Sequence, residues 1–144
     1  MHKIKVMSIP DLINAKDEIN KEIHIIIQIH HTGENEYGEI RFSNTMKNII
    51  FTFDDVNKGD KGFISNYDCG RVEGIMFSLK YMEDITLYIC CYGGLSRSPA
   101  IALAICYLLV REGKNEYKDL IKDLLNKYQH HNVDVLNAII NKSY

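Results

Sequence analysis

A cysteine and an arginine bracket five residues in the run Cys91-Tyr92-Gly93-Gly94-Leu95-Ser96-Arg97-Ser98-Pro99-Ala100. The spacing alone is weak, because four cysteines give four chances of an accidental match. Its surroundings make it informative. A phosphate dianion needs many donors converging from a short arc of chain, and successive backbone N–H groups in a tight loop supply them. Gly93 and Gly94 permit backbone angles that a side chain resists and leave room for an anion. A helix beginning just after the loop adds unpaired N–H groups and a partial positive charge. The Arg97 fork matches two phosphate oxygens at once, which lysine cannot do. The same surroundings favour a thiolate at Cys91 over the thiol. A thiolate beneath a phosphate can attack phosphorus and form a cysteinyl-phosphate. Ser98 can turn its hydroxyl towards that sulfur. The phosphate cradle is then Tyr92, Gly93, Gly94, Leu95, Ser96 and Arg97.

Such chemistry also needs a general acid, since an alkoxide or phenolate departs best protonated. Asp54 and Asp55 lie where an apolar run gives way to a glycine-containing loop, and Asp60 lies within that loop. These three are the best placed of the 19 acidic residues.

The elements that must position these groups alternate. Lys3 to Met7, Ile23 to Ile29, Asn48 to Phe53 and Ile85 to Cys90 read as strands, by alternation or by β-branched apolar content. Ser8-Ile9-Pro10-Asp11 resembles a helix start, with Ser8 or Asp11 capping. Tyr67 to Asp84 carries apolar residues at helical spacing. The stretch after the loop places Ser98 as N-cap and Pro99 as first helical residue, and its apolar body from Ile101 to Val110 predicts burial against a sheet. Glu116 to Tyr128 is amphipathic, and a last helix covers about Val133 to Ile140. Thr32 to Arg41 and Asp54 to Asn66 read as loops. The pattern predicts one α/β domain over residues 1–144. Its central sheet is mainly parallel, with about four to five strands and helices on both faces. Ligands in such sheets bind at the carboxyl ends of strands, where Cys91 to Arg97 falls.

Composition narrows the classes. Apolar content of 46% and charged content of 25% are ordinary for a globular chain. A net charge of −2 argues against nucleic-acid and membrane-surface binding. Met1 to Val6 does not read as a secretory signal, and the run Ile101 to Val110 is too short to span a bilayer. Adjacent Cys90 and Cys91 are a poor start for a disulfide framework, so the expected compartment is the reducing cytoplasm. Metal-ligand spacing is lacking among the cysteines and the six histidines. The pairs His30-His31 and His130-His131 read as solvated loop residues. Cys106 reads as core. Lys58, Lys61 and Arg71 offer a basic rim or, more plainly, solvated charge.

The segment Cys91 to Ala100 resembles the signature of the cysteine-dependent protein tyrosine phosphatase superfamily. Gly94-Leu95-Ser96-Arg97-Ser98-Pro99-Ala100 is especially similar to its compact dual-specificity-like members and small bacterial relatives. The resemblance follows most of the chain in order: strand, acid-bearing loop, helix, strand, signature loop, apolar helix. It implies a phosphotyrosine-protein-phosphatase-like fold and hydrolysis of phosphomonoesters, phosphotyrosine first and dual specificity next, on a phosphorylated protein or peptide. It implies Cys91 as nucleophile, Arg97 as phosphate clamp and Ser98 as the hydroxyl assisting breakdown of the intermediate. Asp55 is implied as general acid, with Asp54 second and Asp60 third, and no metal or other cofactor is implied. One departure stands out: the family usually has histidine where this chain has Cys90. Two other readings follow. One is a phosphate- or phosphopeptide-binding module with little turnover, because a thiol is a weak substitute for that histidine. The other is sulfur or arsenate chemistry, which would not need Asp55. Cys90 itself reads as buried strand packing, with a redox partner as the rival.

Overall fold

The computed structural model describes residues 1–141. Four strands, β1 (Lys3–Ser8), β2 (His24–His30), β3 (Lys47–Thr52) and β4 (Thr86–Cys91), form one sheet in the order β1-β4-β2-β3. Every pairing is parallel. The two inner strands are buried along their whole length, which accounts for their largely apolar sequences. The sheet therefore has four strands, the lower end of the expected number.

The two faces are covered unequally. On one face lie α3 (Asn66–Lys80), α4 (Arg97–Arg111), α5 (Lys118–Lys127) and α6 (Val133–Ile140). Their apolar residues pack with Ile25, Ile27, Ile29, Leu87, Ile89 and Cys91 in the main core. The other face carries the short helices α1 (Ile9–Asn14) and α2 (Lys16–Ile19). Ile9, Leu12 and Ile19 pack there with Ile26, Tyr88 and Cys90, and Tyr37, Ile40 and Phe42 complete the cover. The buried Gln28 ties that segment down. Its amide donates to the Ile40 carbonyl at 2.7 Å and to Asn48 Oδ1 at 2.8 Å, and its Oε1 accepts the Ile40 N–H at 2.9 Å.

Helix α4 is the central pillar. Residues from Ala100 to Cys106 are fully buried, so its all-apolar body follows from its place between the sheet and α3, α5 and α6. Truncating Ile101 or Ile105 to alanine there costs roughly 2–5 kcal/mol.

The chain leaves adjacent strands β1 and β4 towards opposite faces, into α1 and α4 respectively. That divergence opens a crevice at their carboxyl ends, the place where open α/β sheets hold ligands. Among the described residues no helix is long and apolar enough to cross a membrane.

Candidate active site

The loop after β4 fills this crevice. Gly94 has φ +69°, and a Cβ there would lie 2.7 Å from the Met7 carbonyl carbon and the Ser8 nitrogen at the end of β1. Only glycine lets the loop lean on that strand without strain. Gly93 has no such constraint, since nothing lies within 4 Å of a Cβ built there. Of the two glycines expected to need special angles, one does. The backbone N–H groups of residues 92–96 donate to no backbone carbonyl among the described residues.

Helix α4 begins two residues earlier than its sequence suggests. Its N-cap is Ser96, with Arg97 as first residue, so Ser98 is not the cap. Pro99 then sits at the third position, still inside the first turn, where a missing N–H costs nothing. The shift changes what Ser98 does. Its N–H points at the Cys91 sulfur at 3.4 Å, and its hydroxyl lies 3.0 Å from the same atom. Cys91, 2% exposed, thus meets the helix N-terminus directly. No acidic residue occupies the first turn of α4 to offset its positive end.

Arg97 is buried at 3% exposure, and its guanidinium donates to the Phe53 carbonyl at 2.8 Å. The bond fixes the side chain where β3 ends and the acid-bearing segment begins. Asp55 is exposed on the loop side of that segment. Its Oδ1 accepts the Ser96 hydroxyl at 2.8 Å and the Asn132 side-chain amide at 2.8 Å. Ser96 leaves its capping duty unfilled and reaches Asp55 instead.

The other two aspartates face elsewhere. Asp54 accepts the Thr32 hydroxyl at 2.6 Å and the Thr32 N–H at 2.9 Å. These bonds hold its carboxyl below the ordinary aspartate value. Its own N–H donates to the Gly62 carbonyl at 2.7 Å. Asp60 accepts the Asn57 N–H at 3.2 Å and closes a turn in the same loop.

Cys90 projects to the opposite face of the sheet from Cys91, among Ile9, Leu12, Ile26 and Tyr88. Burial pushes its thiol well above the ordinary cysteine value. It is packing, as its strand position suggests, and it does not order the loop. Cys106 is likewise core, its thiol pushed up to about 12 by burial.

His30 differs from the solvated residue expected. It is the last residue of β2, 5% exposed, with Nε2 3.0 Å from Gln28 Oε1. Burial lowers its pKa below the ordinary histidine value. β2 extends through His30, so the polar turn begins one step later, at its neighbour His31. His31 is half-buried and packs on Tyr92 with ring centroids 4.9 Å apart. Tyr37 lies 5.9 Å from the same ring. The Tyr92 hydroxyl donates to Glu36 at 2.7 Å, which raises its pKa. An aromatic wall thus stands beside the loop, fastened by Glu36. Leu95, in contrast, is 65% exposed at the rim. Arg71 belongs to a different surface, bonded to Asp68 at 3.0 Å and lying 4.3 Å from the Phe51 ring centroid. Lys58 and Lys61 are exposed.

Asn132 escaped the sequence reading. It caps α6 by accepting the Val135 N–H at 3.0 Å, and its N–H donates to the Ser96 carbonyl at 3.1 Å. Its amide donates to Asp55 and to the Val56 carbonyl. An asparagine before an apolar helix signals a cap. Its reach to Asp55, 77 residues away in sequence, leaves no local signal. Asn132, Asp55 and Ser96 also line a cavity of about 370 Å³ shared with His130 and His131. Among the described residues no group of three or more His, Cys, Asp or Glu side chains could hold a metal ion.

The arrangement brings together a loop of unpaired N–H groups able to seat an oxyanion, a sulfur at the start of a helix, and a carboxyl tied to that loop through Ser96. No protein-family model matches the chain, and no curated protein does. Solved structures do. Tk-PTP in its active form matches with a TM-score of 0.56 at 14% identity, over 99% of this chain and 92% of that one. A glycine-to-alanine mutant form of Tk-PTP matches with a TM-score of 0.51 at 14% identity, over 97% and 91%. PTPMT1 overlaps less, with a TM-score of 0.49 at 15% identity, over 96% and 88%. The chain therefore has the protein-tyrosine-phosphatase-like fold that its signature segment implies.

Proposed function

We propose that this chain is a phosphoric monoester hydrolase of the cysteine-dependent protein tyrosine phosphatase superfamily, acting on phosphorylated protein or peptide through a cysteinyl-phosphate. The observation that carries this reading is the meeting of Cys91 Sγ with the Ser98 hydroxyl and N–H at the start of α4.

In the first step the phosphate sits among the N–H groups of residues 92–96 and the Arg97 fork. Cys91 attacks phosphorus in line. The P–S bond forms as the P–O bond to the leaving group breaks, and Asp55 gives its proton to the departing oxygen. In the second step Asp55 takes a proton from water, whose oxygen attacks phosphorus. The P–S bond breaks, the sulfur departs as thiolate, and the Ser98 hydroxyl donates to it. Phosphate leaves, and Asp55 again carries a proton.

Phosphotyrosine is the first substrate class, because Tyr92, His31 and Tyr37 offer an aromatic ring a wall of ring faces and edges beside the cradle. Lysine is absent from residues 92–96, which favours phosphoprotein over highly charged inositol lipids.

The test is steady-state hydrolysis of phosphotyrosine and phosphothreonine peptides and aryl phosphates. Turnover is expected in the wild type and not in Cys91→Ser. Asp55→Ala is expected to slow esters with leaving groups of high pKa far more than those of low pKa. Tight phosphopeptide binding without turnover would instead establish the binding module. If Asp54→Ala showed the selective effect, Asp54 would be the acid.

A further inference from the structure

We infer that Asn132 is a positioning residue for the general acid, holding Asp55 through one oxygen so that the proton is carried on the other. This rests on the reading of Asp55 as the acid.

Asp55 Oδ1 receives two donors, the Ser96 hydroxyl and the Asn132 amide, each at 2.8 Å. Neither donor bonds Oδ2. An oxygen with two N–H or O–H groups aimed at it is a poor place for a proton, so the acidic hydrogen resides on Oδ2. Oδ2 is then the atom that faces the leaving group. The carboxyl plane is fixed as well, since two donors on one oxygen resist rotation about the side chain.

Asn132 is well made for the task. Its own place is fixed twice, by its N–H on the Ser96 carbonyl at 3.1 Å and by its Oδ1 accepting the Val135 N–H at 3.0 Å. Its amide nitrogen spans Asp55 and the Val56 carbonyl at 3.0 Å. Two residues on, Asp134 accepts the Lys58 N–H at 2.8 Å. The first turn of α6 thus holds both the acid and the chain that follows it, while Ser96 ties the same carboxyl to the phosphate cradle. Distances between acid, cradle and nucleophile are set by fixed elements, and such positioning is worth a large factor in rate.

Asn132→Ser separates positioning from capping, because serine caps a helix about as well as asparagine but cannot reach Asp55 with an amide. The expected result is a melting temperature close to wild type. Hydrolysis of phenyl phosphate should fall about tenfold or more, up to the roughly 10²–10⁴-fold that general acid catalysis supplies in full, and hydrolysis of 4-nitrophenyl phosphate should fall far less. In an Asp55→Ala background the same substitution should have no further effect. An equal loss on both esters, or a full loss added on top of Asp55→Ala, would overturn the inference and leave the phosphatase reading intact. Failure of the wild type to hydrolyse either ester would overturn both.

Discussion

The Ser98 hydroxyl lies 3.0 Å from the Cys91 sulfur, with the Ser98 N–H 3.4 Å from the same atom. Both groups come from the first turn of α4, so one residue joins the helix N-terminus to the proposed nucleophile. In the proposed cycle the hydroxyl is the group placed to donate to the sulfur as it leaves phosphorus as a thiolate.

Ser98→Ala is therefore expected to slow breakdown of the intermediate more than its formation. A hydrogen bond to a charged group is worth about 1.5–3 kcal/mol, or roughly a 10- to 100-fold fall in kcat. Rapid-mixing kinetics with 4-nitrophenyl phosphate should show a burst of nitrophenol followed by slow turnover. Loss of the burst together with turnover would place Ser98 in the first step.

Gly94→Ala and Gly93→Ala should differ sharply. At Gly94 the new methyl meets the backbone of Met7 and Ser8, and φ is +69°. Left-handed strain and overpacking together are expected to cost about 2–4 kcal/mol. At Gly93 the methyl meets nothing within 4 Å, so the cost should stay within about 0.5 kcal/mol. Denaturant unfolding of the two variants measures the contrast. Equal stability would mean that the loop does not rest on β1.

The Thr32–Asp54 pair predicts a pH-dependent contribution to stability. Thr32 donors hold the folded carboxyl below its ordinary value, so in acid the unfolded chain binds the proton first. The contribution is complete above the ordinary aspartate range and is lost as pH falls through the lower, folded value. Thr32→Val removes the hydroxyl donor and keeps the N–H. Its melting temperature should lie below wild type at pH 7, and the gap should close as pH falls from about 4 towards 2. A gap unchanged over that range would remove the charge from the explanation.

Local chemistry was legible wherever neighbours in sequence are neighbours in space. The stretch from Cys91 to Arg97 names its loop, and β-branched runs place β2, β3 and β4 within a residue of their observed ends. What depends on distant contacts was not. Ser98 and Pro99 look like cap and first helical residue, yet Ser96 and Arg97 hold those places because Ser98 is drawn to the Cys91 sulfur. His30 looks like half of a polar pair, yet the strand register buries it. Asp55 and Asp54 are adjacent and chemically identical in sequence. Their separation into loop-facing and Thr32-facing groups comes from residues 41 and 22 positions away. Asn132 shows only its cap.

The central claim is that Cys91 becomes covalently phosphorylated in each turnover. Acid quenching during hydrolysis of 4-nitrophenyl phosphate, followed by peptide mass spectrometry, tests it directly. A phosphoryl group is expected on the peptide containing Cys91, with more of it in Ser98→Ala, and neither adduct nor turnover is expected in Cys91→Ser. Steady turnover with Cys91 unmodified, or retained by Cys91→Ser, would contradict it.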